Sequence, residues 1–182
     1  MKFKIKSGKI NITDPCYDVP TNHLAALNGT WVADVVLFEG ANVRSTRVYH
    51  EDFCNSLGTD QMNLIGEVGV DSGQVGYFDS EVYNKNLSKP IEMKNELPQL
   101  ESAGWPVKTT KDWYRMCCNK TIAEPGYGIV EGGFVSKTAY GDGAYPLYGC
   151  VFDGLLVAAE VLFDDEDDDA WGQDEDGWDE ER

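Results

Sequence analysis

Three short turns hold most of the polar side chains in this sequence that could act together. "DPCY" (14–17) presents Asp14, Cys16 and Tyr17, and "GVDSGQVGYFD" (69–79) presents Asp71, Ser72, Gln74 and Asp79. "YGDGAYPLY" (140–148) adds Tyr140, Asp142, Tyr145 and Tyr148. If these turns meet at one end of a β-rich domain, they make a polar pocket walled by aromatic rings, suited to a nucleotide or a sugar. The expected ligand-binding residues are Asp14, Asp71, Ser72, Gln74, Asp142 and Tyr145. Each turn also has a local explanation. Asp and Ser before Gly bond their own backbone, and glycine supplies positive φ without steric cost.

Catalysis fits these residues poorly. A Ser–His–acid triad would need a serine beside His23 or His50, and neither histidine lies in a glycine-rich polar stretch. "GVDSGQ" is not a G-x-S-x-G elbow, and it lacks the lysine of a phosphate loop. Cys16 follows Asp14 by two residues, and a nearby carboxylate disfavours the thiolate that a nucleophile needs. Asp71 and Asp142 could pair as acid and base in a hydrolase, provided the fold brings them within reach. No catalytic residue, cofactor or metal site is therefore expected. Cys16, Cys54, Cys117, Cys118 and Cys150 show no CxxC spacing and have only two histidines to join them, which argues against zinc.

Charge is distributed unevenly. Of the formal net charge of −17, −11 falls on residues 164–182, "DDEDDDAWGQDEDGWDEER", and −6 on the rest. Like charges this dense repel, so 164–182 is expected to be an extended acidic tail after a single globular domain at 1–163. Trp171 and Trp178 stand among those acids and are natural anchors for a protein partner with a basic surface. Direct nucleic-acid binding is disfavoured, because only 15 Lys and Arg occur and they form no patch beyond Lys2, Lys4, Lys6 and Lys9. No apolar run reaches the roughly 20 residues of a membrane helix or the length of a signal peptide, so a cytoplasmic protein is expected.

The elements that must position the turns read as mostly antiparallel β. "KFKIK" and "INIT" alternate apolar and polar residues around "SGK", predicting an N-terminal hairpin. "HLAALNG" (23–29) reads as one or two helical turns. "TWVADVVLFEG" is a strand with Trp31, Ala33 and Val35 on one face, and "RSTRVYHEDF" a polar, edge-like strand. "NLIGEVGV" reads as a buried strand. Asp79 or Ser80 caps a helix start at 79–87, and 89–108, with its prolines, reads as a surface loop. Residues 109–122 form the best helix. From 127 to 163 three strands form a C-terminal meander, turning at 141–143 and 153–154, since Asp-Gly between apolar runs is a strong hairpin signal. The fold class is α+β, mostly antiparallel sheet or sandwich, with one or two short helices.

The segments "TDPCY", "GVDSGQVGYFD" and "YGDGAYPLY" together resemble a family of small bacterial and bacteriophage proteins, a domain of unknown function with DSGQ…FD and GDG-x-YP-x-Y segments. The resemblance covers residues 5–163 and leaves the tail outside it. It implies a β-rich single domain and a phage origin, and it implies no reaction. By analogy with other small phage proteins, it implies a counter-defence inhibitor that sequesters or occludes a host factor.

Overall fold

The computed structural model describes residues 1–38, 42–54, 56, 58, 61–83 and 113–163. The acidic segment 164–182 with Trp171 and Trp178, the stretch 84–87 and the loop expected at 89–108 lie outside the described residues. Among the described residues eleven strands form two antiparallel sheets with one α-helix, an α+β fold dominated by β. The strands are β1 (Lys2–Ile5), β2 (Lys9–Thr13), β3 (Asn22–Ala25), β4 (Gly29–Leu37), β5 (Val43–His50), β6 (Asn63–Val70), β7 (Gln74–Asp79), β8 (Tyr127–Val130), β9 (Gly133–Lys137), β10 (Gly143–Phe152) and β11 (Leu155–Leu162). The helix α1 spans Trp113–Ile122. One sheet has the order β1-β4-β5-β11-β10-β6 and the other β3-β2-β7-β9-β8.

The two sheets face each other over a core that includes Phe3, Ile10, Trp31, Val48, Tyr77, Phe134, Leu147 and Phe163. Burying each such side chain stabilises the fold by about 2–3 kcal/mol relative to exposure. Trp31 satisfies its indole by donating to the Leu27 carbonyl at 2.9 Å. The second face of the smaller sheet is covered by α1. Trp113, Met116, Cys117 and Cys118 pack there on Phe78, Tyr83, Val130 and Val135. The helix therefore appears at its expected place, its buried residues at helical spacing.

Several sequence expectations are corrected, most of them for one reason. A turn signal marks a change of direction, and it does not say which sheet the chain enters next. "SGK" does not close a hairpin, because β1 pairs with β4 in the larger sheet while β2 pairs with β3 and β7 in the smaller one. Residues 22–25 form β3 instead of a helical turn. Four residues on the edge of β2 gain ladder bonds that a single helical turn could not supply. β5 is no edge strand: it lies between β4 and β11, where Arg47 and Ser45 are partnered by Glu160. β6 is itself the sheet edge, with Leu64 65% exposed. The expected three-strand meander is four strands divided between the sheets. β8 and β9 are a hairpin of the smaller sheet, and β10 and β11 of the larger. The Asp153–Gly154 turn between β10 and β11 is as predicted, with φ of 50° and 79°.

Asp79 caps a turn rather than a described helix. Its carboxylate accepts from the backbone N–H groups of Lys6, of Ser7 at 3.0 Å and of Glu81 at 2.8 Å. It thereby clamps the corner where the chain leaves β1 for β2. Burial opposes the charged form, but the three backbone donors outweigh it and hold the carboxyl below its ordinary value. A depressed folded-state pKa gives stability that is fully present above the unfolded pKa of about 4 and is lost as pH falls through the folded value. Asp79→Asn is expected to lower stability at pH 7 and to flatten the acid limb of the stability profile between about pH 5 and 2. Urea titrations across that range would show it, and an unchanged acid slope would contradict the assignment.

Candidate functional site

The three polar turns meet at one corner of the sandwich. β2 ends at Thr13, and Pro15 keeps Asp14 out of helical geometry, so the chain leaves the strand with the Asp14 side chain directed inward. Asp14 is fully buried. One of its oxygens, Oδ1, accepts from the Cys16 N–H at 2.8 Å and the Ser72 hydroxyl at 2.6 Å. The other, Oδ2, accepts from the Asp71 N–H at 2.9 Å and the Ser72 N–H at 2.7 Å. Four donors on one carboxylate lock the 14–17 turn to the 71–73 turn, the point at which the chain passes from β6 in one sheet to β7 in the other.

The third turn joins through Gly73. Its N–H donates to Asp142 Oδ1 at 2.9 Å, and its carbonyl accepts from the Thr138 N–H at 2.9 Å. Gly73 has φ of 66°, so the turn requires glycine there, while a Cβ would meet Gly141 Cα at an ordinary contact distance of 3.7 Å. The Tyr145 hydroxyl donates to the Gly141 carbonyl at 2.9 Å. Gln74 is buried against α1. It accepts from the Thr121 hydroxyl at 3.0 Å and reaches Ser72 Oγ at 3.3 Å and Cys118 Sγ at 3.5 Å. Tyr83 closes the knot, donating to the Tyr17 carbonyl at 2.6 Å.

All six expected ligand residues thus lie at one corner, but in different settings. Asp14 and Gln74 are buried and occupied by protein donors and acceptors. Ser72 is half-buried and bonded to Asp14. Asp71 is exposed beside Tyr17, whose phenol is pushed up to about 12 by burial and then by the Asp71 carboxylate. Only Asp142 and Tyr145 line the adjoining concavity of about 210 Å³, together with Tyr140, Pro146 and Phe163.

The nucleophile candidates are set against reaction. Partial burial, followed by the Asp14 carboxylate, pushes the Cys16 thiol up to about 12, so it carries its proton at neutral pH. His23 does stand beside a serine, a pairing that sequence reading did not find. Ser80 Oγ is 3.3 Å from His23 Nδ1, yet the same nitrogen lies 2.7 Å from Asn11 Oδ1. An Nδ1–H that donates to Asn11 cannot also accept the serine proton, so the arrangement differs from a triad, which uses both ring nitrogens. Asp71 and Asp142 share the corner, and Asp142 Oδ1 is held by the Gly73 N–H.

Thr138, Thr121 and Tyr83 are essential to the knot and were missed by sequence reading. Only "KTAYGDG", a threonine just before the turn, carried a signal for one of them.

No family model, curated protein or solved structure matches the chain. No helix among the described residues is long and apolar enough to cross a membrane.

Proposed function

We propose that this chain is a non-enzymatic binding protein that occupies a basic surface of a protein partner. The observation that carries the reading is the saturation of the Asp14 carboxylate by four protein donors. The polar corner that the sequence offers as a ligand pocket is used to hold the two sheets together, and the Cys16 thiol beside it is kept protonated. The net charge of −17 supports a basic partner, since a field of one sign steers association with the opposite one. Counter-defence, by occluding a host factor, is the setting that the motif resemblance suggests. A small-ligand reading narrows to the concavity at Tyr140, Asp142 and Tyr145. A hydrolase reading would use the Asp142 oxygen that the Gly73 N–H does not occupy.

In this reading Trp171 and Trp178 anchor the partner while the surrounding acids steer it. A full-length chain carrying Trp171→Ala and Trp178→Ala keeps its charge. It is expected to lose, at low salt, most of the partner recovered by the unsubstituted chain in pull-downs, with the same melting temperature. Equal recovery by both chains would sink the anchor role of the tryptophans. Recovery that does not fall with added salt would sink the electrostatic reading itself.

A further inference from the structure

The outward face of the larger sheet carries a charge row that does not balance. Asp34 on β4, Arg47 on β5 and Glu160 on β11 stand directly opposite one another in the ladder. Arg47 takes Glu160, with Nε at 3.1 Å and Nη2 at 2.7 Å from Oε2, while the Ser45 hydroxyl holds Oε1 at 2.7 Å. Asp34 is left with the Tyr49 hydroxyl at 2.7 Å as its one hydrogen-bond donor among the described residues. Among the described residues Asp34 forms no ion pair, and the Arg47 guanidinium that faces it across the ladder is turned to Glu160.

Asp34 opens into a cleft of about 250 Å³ lined also by Val36, Arg47, Tyr49, Phe53, Met62 and Ala158. Most of the walls are apolar or aromatic; the Arg47 charge that also lines the cleft is taken up by Glu160, which leaves the charge of Asp34 uncompensated. The rim is apolar as well. Phe53 packs on Phe152 at 5.4 Å between ring centroids, and Phe152 and its neighbour Val151 are 62% and 57% exposed. An anionic slot with aromatic walls inside an exposed apolar rim is the form of a contact hot spot.

We infer that this cleft receives an arginine side chain of the basic protein partner, its stem against Val36 and Met62 and its guanidinium between Asp34 and the Tyr49 and Phe53 rings. The inference rests on the binding reading above. Arginine suits the slot better than a compact ammonium does, because its planar fork stacks on rings, meets a carboxylate in two bonds and is more weakly hydrated.

The probe is the peptide acetyl-Gly-Arg-Gly-amide, titrated at low salt into the isotopically labelled full-length chain and followed by NMR. A citrulline peptide of the same shape serves as the uncharged control. Shifts are expected to concentrate on Asp34, Val36, Arg47, Tyr49 and Phe53, with citrulline at least about tenfold weaker. Asp34→Asn, which keeps an acceptor for Tyr49, is expected to weaken arginine binding by about fivefold. Met62→Trp, which fills the slot without altering charge, is expected to abolish shifts in the cleft. Glu131→Gln, at an exposed carboxylate between β8 and β9 of the other sheet, leaves the affinity unchanged. Shifts confined to the acidic segment 164–182 would overturn the cleft assignment and leave the acidic-binder reading standing. Absence of any charge-dependent shift would overturn both.

Discussion

Asp14→Ala is expected to cost about 4 kcal/mol of stability, measured as the shift in the urea midpoint at unchanged slope. The substitution leaves four donors without an acceptor: the N–H groups of Cys16, Asp71 and Ser72, and the Ser72 hydroxyl. Hydrogen bonds to a charged acceptor contribute about 1.5–3 kcal/mol each, and a buried donor left unpaired costs about 1–3 kcal/mol. The four do not add fully, because Asp71 and Cys16 are exposed residues and water can reach part of the opened corner. Against a total stability of about 5–15 kcal/mol, the loss leaves a marginal protein. Asp14→Asn should cost about half as much. It keeps one acceptor oxygen and turns an amide N–H₂ toward two of the donors. A loss below about 1 kcal/mol for the alanine variant would mean that the corner is solvated and that Asp14 is not its organising group.

The same corner shows where sequence reading reaches its limit. Residue types named Asp14, Asp71, Ser72 and Asp142 as a group, because acids and serines beside glycines concentrate there. Their convergence was legible as a condition. Its meaning was not, since a buried carboxylate bonded to four protein donors and an open carboxylate awaiting a ligand have the same local sequence. The difference lies in donors that the fold brings from far along the chain, the N–H groups of Asp71 and Ser72 and the Ser72 hydroxyl. Strand identity was legible for β4, for the β10–β11 hairpin and for α1, where the period of apolar residues and one turn decide the outcome. Sheet membership was not. The passages from β1 to β2, from β6 to β7 and from β9 to β10 all look like hairpins by their turn residues, yet each crosses from one sheet to the other. What decides a crossing is the partner strand, such as β4 for β1 or β10 for β6, and those pairings join residues far apart in the chain.

One group inside the sandwich enforces this pairing of sheets, and its removal is the second large effect. Tyr77, on β7 of the smaller sheet, sends its hydroxyl across the core into the ladder between β5 and β11. It donates to the Thr46 carbonyl at 2.7 Å, accepts from the Val161 N–H at 3.1 Å and lies 3.0 Å from the Thr46 hydroxyl. Tyr77, Thr46 and Val161 are all fully buried, so no water replaces the hydroxyl. Burial also pushes the phenol up, so it carries its proton at neutral pH. Tyr77→Phe preserves the ring, which stacks on Phe134 at 6.2 Å, and removes only the hydroxyl. The expected cost is about 3 kcal/mol, from a carbonyl and an N–H left buried without partners. Adding Thr46→Val removes the threonine hydroxyl that also faces the gap. The double variant should therefore be less destabilised than the sum of the two singles by about 1 kcal/mol. Strict additivity in that cycle, measured by urea unfolding, would show that the hydroxyl is not shared across the sheets. Sub-additivity would show that the strand pairing of one sheet is read directly by a side chain of the other.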